Sequence, residues 1–292
     1  MPYKTRDEML DAWASLEAAH PTLVSHEIIG KTVQNRDILL YKIGNPRGGR
    51  VSLVGAIHGE EKASAEILYL FVDWVLSSSE ADAVRIRARN LLLCIPMLNA
   101  DEYAIQGKNA NNVNLMYNFA YEWGTPPGSG DPARYVYYGP SSESEPETKV
   151  MRRFFENWLP RHLCFLHDGY SGYSVWYSHA LDAVDKTVCD RVYLNYKSKA
   201  LAAGRSILGY AEEEASGHPS ATAYHYNNKK ILGWMIECCT LNPVYETIAT
   251  THWPNSKPWL IALCQDAEVL PSSIVPLLLV IAAVVFLASL KR

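Results

Sequence analysis

His58 and Glu61 lie just past the apolar run Val51–Ile57, and an HxxE pair in a strand-to-helix turn aims an imidazole and a carboxylate at one point. His167 holds the equivalent place after the apolar stretch Cys164–Leu166, and Glu237 ends a third such stretch, Gly233–Ile236. Imidazole nitrogens with a carboxylate oxygen suit Zn2+, and three protein ligands leave a fourth coordination position open, as catalytic zinc requires. His58, Glu61 and His167 are the expected ligands of one Zn2+ per chain, with Glu237 as a nearby carboxylate. The neighbours of Glu237 (Trp234, Met235, Ile236, Cys238 and Cys239) include no basic partner. A carboxylate in so apolar a stretch needs a reason, and proton transfer supplies one. His20, His26, His162, His179, His218, His225 and His252 fit none of these positions and are expected to be surface or hydrogen-bonded residues.

The elements that must position these groups follow from hydrophobic periodicity. Thr5 to His20 carries Met9, Leu10, Trp13 and Leu16 at helical spacing, and Pro21 stops it. Val24–Ile29, Ile38–Ile43, Val51–Ile57, Asn90–Ile95, Leu163–Leu166 and Ile231–Glu237 read as strands. Helices are expected from just after Glu61 to about Leu76, over Glu145–Leu159, Asp182–Ala203 and Ser256–Cys264. Strands alternating with helices predict an α/β fold with a mixed, mostly parallel central sheet flanked by helices. Ligands of such sheets bind at the carboxyl ends of strands, where the four residues fall. The segment from Met97 to about Ser144 is rich in Asn, Gly, Pro and Tyr. So long an irregular stretch is expected to wall a cleft.

Bulk properties fit one catalytic domain over residues 1–266. The net charge is −4 and no Lys/Arg block stands out, so nucleic acid is not an expected partner. The six cysteines form no CxxC pair and several sit in apolar runs, so buried free thiols are expected. The opening MPYKTRDEML has no apolar core of a signal peptide. From Val269 to Leu290 the chain carries no charge, and Lys291 and Arg292 follow. About 20 apolar residues span a bilayer, so a transmembrane helix is expected over 269–290, with the lipid bilayer as partner. Basic residues only on its far side point to an external catalytic domain, whereas the absent signal peptide points to a tail-anchored chain facing the cytosol.

In order and spacing, the motifs resemble the zinc carboxypeptidases, the funnelins, along almost all of the chain before this apolar segment. SLVGAIHGEE (Ser52–Glu61) is similar to that family's first zinc motif, and Asn99-Ala100-Asp101 stands where it has Asn-Pro-Asp. NANNVNLMYNF (Asn109–Phe119) resembles NANGVDLNRNF, SEPET (Ser144–Thr148) the helix start before the third ligand, and His167-Asp168-Gly169-Tyr170 the stretch His-Ser-Gly-Tyr. Ala215-Ser216-Gly217 resembles the flexible tyrosine loop. The resemblance implies a carboxypeptidase-like fold and hydrolysis of a peptide or amide bond by a zinc-activated water, with Glu237 as general base.

Several positions depart from the family pattern. The Asn-Arg pair that holds a substrate's terminal carboxylate falls on Met116 and Tyr117, neither of which can make a bidentate charged bond. The oxyanion-stabilising arginine aligns with Gly107, with Lys108 adjacent as a flexible point donor. The tyrosine before Ala-Ser-Gly falls on Glu213, with Tyr210 close by. Lys108, Met116, Tyr117, Tyr210 and Glu213 are therefore the expected substrate-side residues, and specificity is expected to be atypical. Tyr117, Tyr121, Trp123, Tyr135, Tyr137 and Tyr138 make the long segment aromatic, either as loop packing or as a substrate-facing wall. Two other readings stand beside the peptidase: an amidohydrolase that deacylates N-acyl amino acids, and a zinc-containing binding module with weak turnover.

Overall fold

A computed structural model describes residues 2–169, 173–212 and 221–268. The first helix, α1 (Arg6–Ala19), begins where Thr5 and Glu8 close a reciprocal cap: the Glu8 amide donates to the Thr5 hydroxyl at 3.3 Å and the Thr5 amide to the Glu8 carboxylate at 2.8 Å. Met9, Trp13 and Leu16 form its buried stripe. An antiparallel hairpin follows, β1 (Val24–Lys31) and β2 (Asp37–Gly44). The central strands are β3 (Gly49–Val54), β4 (Asn90–Ile95), β5 (His162–His167) and β8 (Leu232–Glu237), with the short strands β6 (Ser174–Tyr177) and β7 (Gly209–Glu212) at the far edge.

These strands form one sheet in the order β1-β2-β4-β3-β5-β8-β6-β7. Pairing is parallel from β4 through β3 and β5 to β8 and antiparallel at β1–β2, β2–β4 and β8–β6, so the sheet is mixed, as expected. Alternate residues of β5 point to opposite faces: Cys164 and Leu166 pack in one core, Leu163 and Phe165 in the other. Helices α2 (Lys62–Ser77), α5 (Ala183–Ala202) and α7 (Trp253–Ala267) supply Phe71, Cys189 and Trp259 to the first. Helices α4 (Pro146–Trp158) and α6 (Ala221–Lys229) supply Phe154 and Ala221 to the second. Both faces are covered, which is why β4 and β5 are buried along their whole length. All six cysteines are buried free thiols.

Four elements were not expected from the sequence: α3 (Ala81–Arg89), α6, β6 and β7. Helix α3 is mostly polar and buries only Ala83 and Ile86, which leaves little periodic signal. Conversely, β3 ends at Val54 rather than running to Ile57, because Ala56 adopts a positive φ of 46° and breaks the pleat.

The membrane assignment requires correction. No helix among the described residues is long and apolar enough to cross a membrane, and residues 269–290 lie outside the described residues. The transmembrane helix, the bilayer as partner and the single-pass localisation are therefore withdrawn.

The segment between β4 and α4 is tied down by buried carboxylates. Glu145 accepts from the side-chain amides of Asn109 (2.7 Å) and Asn111 (2.8 Å), and Glu147 from Asn109 (3.1 Å) and the Val33 amide (3.1 Å). Burial, with the charge of Glu145 adding to it, pushes the Glu147 carboxyl from 4.5 up to about 7. The folded state therefore holds this proton more tightly than the unfolded chain. The stabilisation is fully present below pH 4.5 and is lost as pH rises through about 7. Its size is about 3 kcal/mol at about 1.4 kcal/mol per pH unit. In urea unfolding, the stability of Glu147→Gln relative to the parent is expected to rise by up to that amount between about pH 4.5 and pH 8. A difference that falls with pH contradicts this assignment.

Candidate metal centre

The turn between β3 and α2 is built to present His58 and Glu61. The Gly55 amide donates to Ile95 O at 3.0 Å, carrying the chain beyond the last pair of strand residues. Ser64 then clamps the turn: its hydroxyl accepts from the Ala56 amide (3.0 Å) and donates to Glu61 O (2.6 Å). At Gly59 a Cβ would lie 2.4 Å from Glu102 O, so only glycine lets the loop after β4 pass this closely. Asp168, fully buried, accepts from the amides of Ser64 (3.1 Å) and Asn242 (3.2 Å), binding the start of α2 to the end of β5. Burial and the Glu61 charge push its carboxyl well up.

His58, Glu61 and His167 converge, all three buried, each offering a ligand atom within 4.8 Å of the others. Nδ1 of His58 lies 2.8 Å from Glu61 Oε1 and Nδ1 of His167 lies 2.9 Å from Oε2. Burial raises the Glu61 carboxyl, but His167 and His58 outweigh it and hold it at about 2. For His58, burial acts downward, yet the Glu61 charge prevails and raises it. The group is thus an anion held between two imidazoles.

The hydrogen-bond network of Asn114 shows what belongs between them. Asn114 Oδ1 accepts the Met116 amide at 3.1 Å, which fixes the orientation of its side-chain amide. The same oxygen lies 3.1 Å from His58 Nε2, which must therefore carry a hydrogen. A neutral His58 then presents the Nδ1 lone pair to a carboxylate oxygen at 2.8 Å, an arrangement that needs a proton or a cation between the two atoms. The donor set, two imidazole nitrogens and a carboxylate, fits Zn2+ and leaves room for a further ligand. Among the described residues this is the one cluster of its kind.

The zinc carboxypeptidase family model matches residues 9–246. The chain belongs to the zinc carboxypeptidase family. Zinc is accordingly the metal of this site. Mast cell carboxypeptidase A of Rattus norvegicus is 29% identical over 159 residues, which is 48% of this chain and 39% of that protein. Carboxypeptidase B of Homo sapiens is 26% identical over 172 residues, 52% of this chain and 41% of that protein. The matched stretch thus spans less than half of these relatives. In fold, the chain is similar to bovine thrombin-activatable fibrinolysis inhibitor (TM-score 0.76, 17% identity, covering 91% of this chain and 96% of that one). Carboxypeptidase A from Helicoverpa armigera gives a TM-score of 0.75 at 18% identity, covering 91% and 74%.

Glu237 stands beside the cluster, in register with His167 across the β5–β8 pair, and its charge acts on His58. It is nearly buried, with 9% of its surface exposed. The residues expected on the substrate side are engaged within the chain. Lys108 Nζ donates to Pro132 O (3.1 Å) and Arg134 O (3.3 Å), so it braces the long segment. Met116 is 6% exposed and packs in the core beneath the site, with Tyr117 against it. The Tyr210 hydroxyl donates to Asp190 at 2.9 Å and its ring stacks on Tyr193 at 4.1 Å, which ties β7 to α5. Glu213 lies outside the described residues, as does His218.

One residue of the site, Asn114, was not singled out from the sequence, and Tyr135 was named there only among the aromatics of the long segment. Asn114 stands where the similar motif has Asp, and that difference inside NANNVNLMYNF was its signal. Tyr135 covers His58 with ring centroids 5.7 Å apart, and its hydroxyl donates to Glu60 at 3.4 Å. A Cβ at Gly107 would meet that hydroxyl at 2.5 Å, so the place of the family arginine is already filled.

Proposed function

We propose that this chain is a zinc-dependent peptidase that hydrolyses a peptide or amide bond, with His58, Glu61 and His167 as metal ligands and Glu237 as general base. The observation that supports this reading is the register of β5 and β8, which pairs Glu237 with His167, together with the action of the Glu237 charge on His58. Bound zinc polarises a carbonyl and lowers the pKa of its water ligand. Glu237 takes the proton of the attacking water and delivers it to the leaving amine, a role that suits a carboxylate in partly apolar surroundings. Asn114 holds the His58 ring in the tautomer that keeps Nδ1 free for the metal. Asp168 holds the two ligand-bearing elements together from behind.

The specificity is proposed to differ from that of the carboxypeptidases it is similar to. Met116 is buried, and Lys108 is engaged by backbone carbonyls. A free terminal carboxylate therefore has no charged bidentate partner at Met116 or Tyr117, and Lys108 does not replace one. The test is a set of peptides with free or amidated C-termini, together with N-acyl amino acids, incubated with zinc-loaded protein and read by mass spectrometry. Cleavage of amidated peptides at rates within about tenfold of the free acids is expected, since one charged clamp is worth about that factor or more. Cleavage of N-acyl amino acids alone would replace the peptidase reading with the amidohydrolase one.

A further inference from the structure

The long segment and the first zinc motif meet at a place where charge is reversed relative to the family pattern. Glu60 Oε1 lies 2.8 Å from where a Cβ at Gly107 would stand, so a carboxylate borders the space that an arginine there would fill. Tyr135 donates to that oxygen at 3.4 Å, a long bond that leaves its lone pairs available. The nearest lysine in sequence, Lys108, is turned to Pro132 O and Arg134 O. Among the described residues Glu60 pairs with no lysine, arginine or histidine. Tyr135, 47% exposed, lies beside His58 with ring centroids 5.7 Å apart and reaches Glu60 with its hydroxyl. A carboxylate beside a partly exposed aromatic ring can receive an alkylammonium ion through a charge-assisted hydrogen bond and a cation–π contact.

We infer that Glu60 and Tyr135 form a subsite for a protonated amine of the substrate, close to the scissile bond. This inference rests on the peptidase reading for the word scissile, but the subsite itself is tested by binding. Four amidated peptides that differ only in a free or acetylated N-terminus and in lysine or norleucine separate the two sources of such an amine. Their affinities are measured by calorimetry with the zinc-loaded Glu237→Gln protein, in which no peptide is consumed. At least one free amine is expected to tighten binding by about tenfold, the size of one charged hydrogen bond. Glu60→Gln in that background should bring the ratio near one, and Glu60→Lys should invert it, with zinc content checked in each. Equal affinities, no binding of any peptide, or a ratio unchanged by Glu60→Gln would overturn the subsite. Amine-dependent binding without cleavage by the parent protein removes the hydrolytic reading and leaves the subsite standing. Cleavage indifferent to the amine does the reverse.

Discussion

Glu237→Gln is expected to keep about one zinc per chain and to lose hydrolysis by about a hundred- to ten-thousandfold in kcat/KM. Glutamine preserves the size and hydrogen-bonding reach of the side chain, but it cannot take a proton from water. Glu237 is not among the three convergent donors, so the metal has no reason to leave. The pairing of β5 with β8 is made by the backbone and survives the change. Metal analysis and steady-state kinetics on the same preparation separate the possibilities. Loss of zinc with activity would make Glu237 part of the metal's support, and near-normal turnover would remove it from the mechanism.

Glu61→Gln is expected to have an effect of similar size on activity, by a different route. The Glu61 carboxylate lies against both imidazoles and is held at about 2 by them. Its neutral replacement offers one weaker oxygen and no charge, so zinc falls far below one per chain and hydrolysis is lost with it. Chelation of the unaltered protein should reproduce the effect reversibly, and added zinc should restore it. A bound ion at about a thousand times its dissociation constant contributes about 4 kcal/mol of stability. The melting temperature should therefore fall on chelation in the parent and change little in Glu61→Gln. Full activity in a zinc-free preparation would end the metallopeptidase reading.

How much of this was legible in the sequence follows from the range of each interaction. His58, His167 and Glu237 drew attention because each follows or ends an apolar run, and Glu61 through its HxxE spacing from His58, since a buried strand of a doubly covered sheet announces itself by composition. The mixed sheet followed from alternating elements, while the four-residue strands β6 and β7 are too short to show a period. Tyr135 over His58 joins residues far apart through an irregular loop, and no local pattern predicts such a meeting. Lys108 read as a free cation near the site because its sequence place is right; its partners are carbonyls that only the folded loop brings near. Tyr210 was close in sequence to the expected position, yet β7 sends its hydroxyl to Asp190.

The pairing of His167 with Glu237 links assembly to chemistry. Successive side chains of a strand point through opposite faces, so a slip of one residue between β5 and β8 would part this pair and turn one member away from its counterpart. Chains with that fault would keep the three ligands, which β5 and the turn after β3 supply, but would lack the carboxylate opposite His167. Zinc content alone would therefore not tell slipped molecules from correctly threaded ones, whereas loss of the carboxylate opposite His167 would.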